Sequence, residues 1–153
     1  MKLTVTSLAA ERGGRAVFDG VSFAAEAGTL KALLPVGAGP RPRIAFHAPC
    51  SLQHGQKIRG VVEALLGAAG FDLTPVRDAH LCCGSAGTYS LLQPEISARL
   101  REDKLDALLA GGGECIVSAN IGCIEHLSSA ATRPVRHWIE LVDENVTDPG
   151  RKL

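Results

Sequence analysis

Cysteine thiolates are soft ligands, suited to iron–sulfur clusters and zinc. Four of them in this sequence are candidates for one centre: Cys50, the adjacent Cys82 and Cys83, and Cys123. An ordinary disulfide within the adjacent pair is disfavoured, because consecutive Cα atoms lie about 3.8 Å apart and a disulfide wants roughly 4.4–6.8 Å. The residues that follow, Gly84-Ser85-Ala86-Gly87-Thr88-Tyr89, are mostly small and flexible, so this backbone can approach a metal centre while presenting its thiolates. Four thiolates suffice for one cubane cluster or one closed zinc site, and residue type alone does not choose between them. The plain alternative is that they are small buried side chains. His47 and His126 could complete a mixed site, although a hydrogen-bonded structural role is the plainer reading of each, as it is of His54, His80 and His137. Cys115 stands apart from the pattern and is expected only to pack.

The elements that must position these residues alternate strand and helix from Arg43 onward. Ile44-Ala45-Phe46-His47 reads as a buried strand that hands Cys50 to a loop at its carboxyl end, the usual place for ligand-contacting residues in open α/β sheets. Ile58, Val61, Val62, Leu65 and Leu66 recur at helical spacing, with Gly67 and Gly70 at the exit. Residues 71–76 form the next expected strand, which delivers Cys82 and Cys83, and Pro75 favours an edge position for it. Pro94 to Ala110 predicts a helix with proline and Glu95 in its first turn and an apolar arc of Ile96, Leu100, Ala107 and Leu108. Residues 115–119 are a buried strand with Cys123 just beyond, Pro134-Val135 a short strand, and Trp138, Ile139, Leu141 and Val142 lie on a last helix. The expected class is α/β: a small, mostly parallel sheet flanked by helices, with the cysteines on loops at the strand ends. The tail from Thr147 is expected to fray.

Composition narrows the partners. The 153 residues are 46% hydrophobic and carry no formal net charge, so a domain with a real core is expected and nothing favours nucleic acid or an acidic membrane surface. No segment supplies the roughly 20 apolar residues of a membrane helix. Five cysteines, two of them adjacent, fit a reducing compartment and metal or redox chemistry better than a secreted disulfide framework. A cytoplasmic location follows as the expectation.

The runs His47-Ala48-Pro49-Cys50, Cys82-Cys83-Gly84 and Asn120-Ile121-Gly122-Cys123 resemble the cysteine-rich CCG domain of heterodisulfide-reductase-like and glycolate-oxidase-like iron–sulfur proteins. The likeness tightens in residues 84–89, 118–123 and 134–141, which are similar to the C-terminal domain of glycolate oxidase iron–sulfur subunits. The resemblance implies an electron-transfer fragment over residues 43–146, working beside flavin-containing glycolate oxidase subunits, with Cys50, Cys82, Cys83 and Cys123 at a metal centre. It implies an iron–sulfur cluster, with a zinc-stabilised binding module as the alternative. Richer members end in Cys-x-x-Cys, and Asn120 stands here in place of the first of those cysteines. The ferredoxin-type cysteine runs of such subunits are absent from the 153 residues, so the chain is not expected to oxidise glycolate alone.

Residues 1–39 differ in character, holding no cysteine or histidine and ending in the Gly/Pro-rich run 35–42. Leu3-Thr4-Val5-Thr6 and residues 17–23 are strand material. Residues 12–15 and 17–23 resemble the opening of a haem-exporter-type ABC ATPase. A phosphate-binding loop needs Gly-x-x-x-x-Gly-Lys-Ser/Thr, whereas Gly37-Ala38-Gly39 is followed by Pro40-Arg41-Pro42. ATP hydrolysis is not expected, and these residues are read as a leader joined to an unrelated domain.

Overall fold

Short apolar runs bounded by polar or glycine-rich residues pair into sheets here, and they do so in two separate units, Met1–Leu34 and Pro35–Leu153. The computed structural model describes the backbone of residues 2–12, 15–26 and 41–147, and the side chains of residues 41–143.

In the first unit, β1 (Lys2–Arg12) and β2 (Arg15–Glu26) form an antiparallel pair, from Lys2 opposite Glu26 to Arg12 opposite Arg15. Both expected strands of the leader fall inside this pair. Its register slips between Val5 and Leu8 and again on either side of Ala10. The run 35–40, where a phosphate loop would be sought, lies outside the described residues.

The second unit is a four-stranded sheet in the order β4-β3-β5-β6, with every pair parallel. Its strands are β3 (Arg43–His47), β4 (Asp72–Leu73), β5 (Cys115–Ser118) and β6 (Val135–His137). Helices cover both faces of parallel sheets, so their central strands read as continuous apolar runs. Accordingly Ile44, Ala45, Cys115, Ile116, Val117 and Ser118 all have zero exposure.

Among the described residues, α1 (Val61–Ala68), α2 (Tyr89–Leu92), α3 (Pro94–Leu109) and α4 (Ile121–Ser128) lie between the strands, and α5 (Trp138–Thr147) follows β6. Leu66, Leu108 and Leu127, one from each of α1, α3 and α4, are fully buried, the last two in one cluster with Ala45, Cys83, Leu105 and Ile116. At about 25 cal/mol per Å², fully burying each such side chain contributes about 1.5–3 kcal/mol before chain entropy is counted.

Three elements depart from expectation. The first helix starts at Val61 rather than Ile58, because residues 51–55 form a single π-helical turn and Lys57 and Gly60 both take positive φ. The strand expected over 71–76 shortens to Asp72–Leu73; Thr74 still donates its amide to Ile44 O at 2.9 Å, and Pro75 has no amide to continue the ladder. Its edge place agrees with the expectation drawn from Pro75. On α3, the buried stripe is Ser97, Lys104, Leu105, Ala107 and Leu108, while Ile96 is half exposed. Two polar residues occupy that stripe because α3 packs beneath the Cys82-Cys83 loop and hydrogen-bonds to it.

Candidate metal centre

Because all four strands run the same way, their carboxyl ends share one rim. His47 closes β3 and lies in register with Ser118, which closes β5, and Ser118 is in register with His137 at the end of β6. Chain leaving this rim carries the candidate cysteines. Cys50 precedes the π turn three residues after β3, Cys82 and Cys83 stand in the loop between β4 and α2, and Cys123 lies in the first turn of α4 rather than in the loop before it.

A ring nitrogen of His47 and the Sγ atoms of Cys83 and Cys123 all lie within 4.8 Å of one another. Cys50 and Cys82 form an adjoining pair, each side chain within hydrogen-bonding reach of the other. The four thiols are near enough to feel one another's charge. Burial pushes the Cys50 thiol up to about 11, with further contributions from Cys82 and Cys83. Cys83 is held well below its ordinary value of 9.0, first by the hydrogen bond from Cys123 and, against the opposing effect of burial, also by His47 and the Ser85 amide. The same hydrogen bond pushes Cys123 up, with burial next in importance. Cys83 is therefore the thiolate of that pair and Cys123 the proton donor. A bound cation displaces such protons, because a metal ligates the thiolate.

The Cys82-Cys83 loop is shaped by hydrogen bonds that leave its sulfurs pointing at this rim. Gly84 N donates to Cys82 Sγ at 3.4 Å. Gly84 has φ +91°, and a Cβ there would collide with Ser97 O and press on Leu100 and His126. Only glycine meets both demands. From α3, Ser97 Oγ donates to Gly84 O at 2.8 Å, and Lys104 Nζ donates to Asp78 O at 2.9 Å. Ser85 Oγ donates to Gly122 O at 3.0 Å, tying the loop to α4.

Asn120 is the N-cap of α4, its Oδ1 accepting from Cys123 N at 3.2 Å. That engagement gives it a positioning task for Cys123, in the place where richer sequences carry a thiolate. Among the histidines, only His47 joins the close group. His126 Nε2 lies 3.2 Å from Ser97 Oγ, which already donates to Gly84 O, so the imidazole is the donor of that contact. His54 Nε2 is 3.2 Å from His80 O, and His137 Nδ1 accepts from Ile139 N at 3.3 Å. Cys115 is fully buried at the opposite, amino end of β5, where it packs as expected.

Residue spacing alone does not mark Lys104 and Ser97 as functional. Their signal is a matter of phase: both are polar residues on the same helical face as Leu105 and Leu108. Lys104 is 3% exposed, and burial lowers its pKa below the ordinary 10.5 while Cys83, Cys50, Asp78 and Cys82 pull it back. A buried ammonium beside the Cys83 thiolate offsets part of its charge.

The residues present fit a soft metal centre. Thiol sulfurs gather at one rim, backbone amides point at two of them, and the buried Nε2 of His47 has no hydrogen-bond partner.

Comparison with known proteins gives the family. Residues 44–128 match the model of the CCG cysteine-rich domain. The chain is 56% identical over 102 residues to the glycolate oxidase iron-sulfur subunit of Escherichia coli, covering 67% of this chain and 25% of that protein. It is 28% identical over 117 residues to lactate utilization protein A of an Exiguobacterium species, covering 72% of this chain and 48% of that one. With the same protein of Geobacillus kaustophilus it shares 29% over 108 residues, covering 66% and 44%. It thus spans about a quarter of the length of the first relative and about half that of the others. A match over residues 44–128, running from β3 with His47 and Cys50 through the glycine-locked loop to Cys123, places the chain in the CCG cysteine-rich domain family.

Proposed function

We propose that residues 43–146 are an electron-transfer module of a glycolate-oxidase-like complex, in which Cys50, Cys82, Cys83 and Cys123 hold an iron–sulfur cluster. The observation that carries this reading is the gathering of four thiols from three separate connections at one sheet rim. The iron-sulfur subunit named among the relatives supports the choice of cluster. When bound, a cluster takes up and returns electrons without group transfer.

The chain's own residues supply charge and access. Amide donors and Lys104 moderate the negative charge of the sulfurs. Leu81, Leu91, Leu92 and Ile96 are 47–80% exposed along the segment that follows and includes the loop, an apolar surface suited to a protein partner. The partner proposed is a flavin-containing subunit that delivers the electrons. Hydride chemistry belongs to the flavin, so this chain alone does not oxidise glycolate. Five free cysteines suit a reducing compartment, so the cytoplasm is the proposed location; no described helix is long and apolar enough to cross a membrane.

Zinc is the competing occupant. Anaerobic purification, reconstitution with iron and sulfide, and assay of iron and acid-labile sulfide decide between them. Stoichiometric iron with sulfide is expected; stoichiometric zinc, with loss of fold on chelation, would favour the binding module instead.

A further inference from the structure

We infer that His47 is a direct ligand of the centre through Nε2, so that the site is a mixed nitrogen and sulfur site. The inference rests on the metal-centre reading above and extends it to a residue outside the thiol set.

His47 is 2% exposed, and its Nε2 is buried with no hydrogen-bond partner. Leaving such a group unpaired costs about 1–3 kcal/mol, so its position needs a reason. The other ring nitrogen has one: Nδ1 lies 3.0 Å from Ser118 Oγ in a buried contact. With Nδ1–H donating to that hydroxyl, Nε2 carries the lone pair. Metal-ligating histidines commonly donate their second nitrogen to such a neighbour, which fixes both tautomer and ring direction. The backbone enforces the pairing, because His47 and Ser118 are matched across β3 and β5.

His47 faces sulfur. One of its ring nitrogens forms, with the Sγ atoms of Cys83 and Cys123, a group whose ligand atoms all lie within 4.8 Å of one another, and Nε2 is the nitrogen not already engaged by Ser118. Position 120 supplies no further donor, since Asn120 Oδ1 is occupied by Cys123 N.

A neutral imidazole brings no negative charge to the ligand set, whereas a thiolate at position 47 would add one. Fewer negative ligands stabilise the reduced state, so the potential moves upward, as it does when histidines replace cysteines at iron–sulfur centres. Ser118 is then a positioning residue that acts through His47.

The test is pulsed EPR of the full chain loaded anaerobically with ferrous iron and sulfide, reduced, and carrying 15N-labelled histidine. The expected result is a strong hyperfine coupling to one directly bound nitrogen. It should be lost in H47C, which keeps its iron and has a lower potential, and Ser118→Ala should retain iron about 10–100-fold more weakly. Iron bound without nitrogen coupling in the unmutated chain overturns the inference and leaves the electron-transfer reading standing. No retained iron at all overturns both.

Discussion

Gly84 is where the demands on a single residue are most concentrated. Its φ of +91° lets the Gly84 amide turn onto Cys82 Sγ, and its missing side chain lets the loop rest on the Ser97 carbonyl. Gly84→Ala should therefore destabilise the metal-free protein by about 2–4 kcal/mol, read from urea unfolding under reducing conditions. A change within about 0.5 kcal/mol would mean that the loop is not seated on α3. Lys104 offers a pH test. Its folded pKa lies below 10.5, so between those two values the unfolded chain binds more protons and stability rises with pH. Its contribution is fullest above 10.5 and is lost as pH falls through the folded value. Urea midpoints of the metal-free protein at pH 7 and near pH 10.5 should thus shift the comparison with Lys104→Met in favour of lysine at the higher pH. An unchanged or reversed difference would contradict its burial.

Among the elements, α4 shows how a cap can serve a site. Asn120 satisfies the Cys123 amide and so fixes the turn that presents Cys123 Sγ. Asn120→Ala should cost about 1 kcal/mol, while Asn120→Asp, which keeps an acceptor and suits the helix dipole, should cost less. Thermal unfolding of both variants checks the order. How far this was legible beforehand follows from what each element is made of. The strands β3 and β5 are continuous apolar runs, and α3 opens on Pro94, so their type and the α/β class could be read directly. The π turn after Cys50 and the late start of α1 could not, because they depend on positive φ at Lys57 and Gly60 rather than on periodicity. Apolar spacing misplaces the buried face of α3 at Ile96 for a related reason. Ser97 and Lys104 are drawn inward by the carbonyls of Gly84 and Asp78, which hydrophobic spacing does not register. Spacing named Cys50, Cys82, Cys83 and Cys123 as candidates, but the unpartnered nitrogen of His47 is visible only once the rim is assembled.

At the scale of the whole molecule, the sheet and the thiols belong to one unit, and every residue of its described core lies between Ile44 and Val142. A chain beginning at Pro35 should consequently fold and take up metal as the full chain does, with near-UV circular dichroism and metal content as the measures. Loss of both would show that residues 1–34 contribute to the centre. The claim on which the account turns is that the rim holds one soft metal centre through its four candidate cysteines. The most direct measurement is iron and acid-labile sulfide per chain after anaerobic reconstitution, in the unmutated protein, in Cys83→Ser and in Cys115→Ser. Stoichiometric iron and sulfide in the unmutated protein and Cys115→Ser, with severe loss in Cys83→Ser, is the predicted result; absence of iron from the unmutated protein, or equal retention in all three, would contradict it.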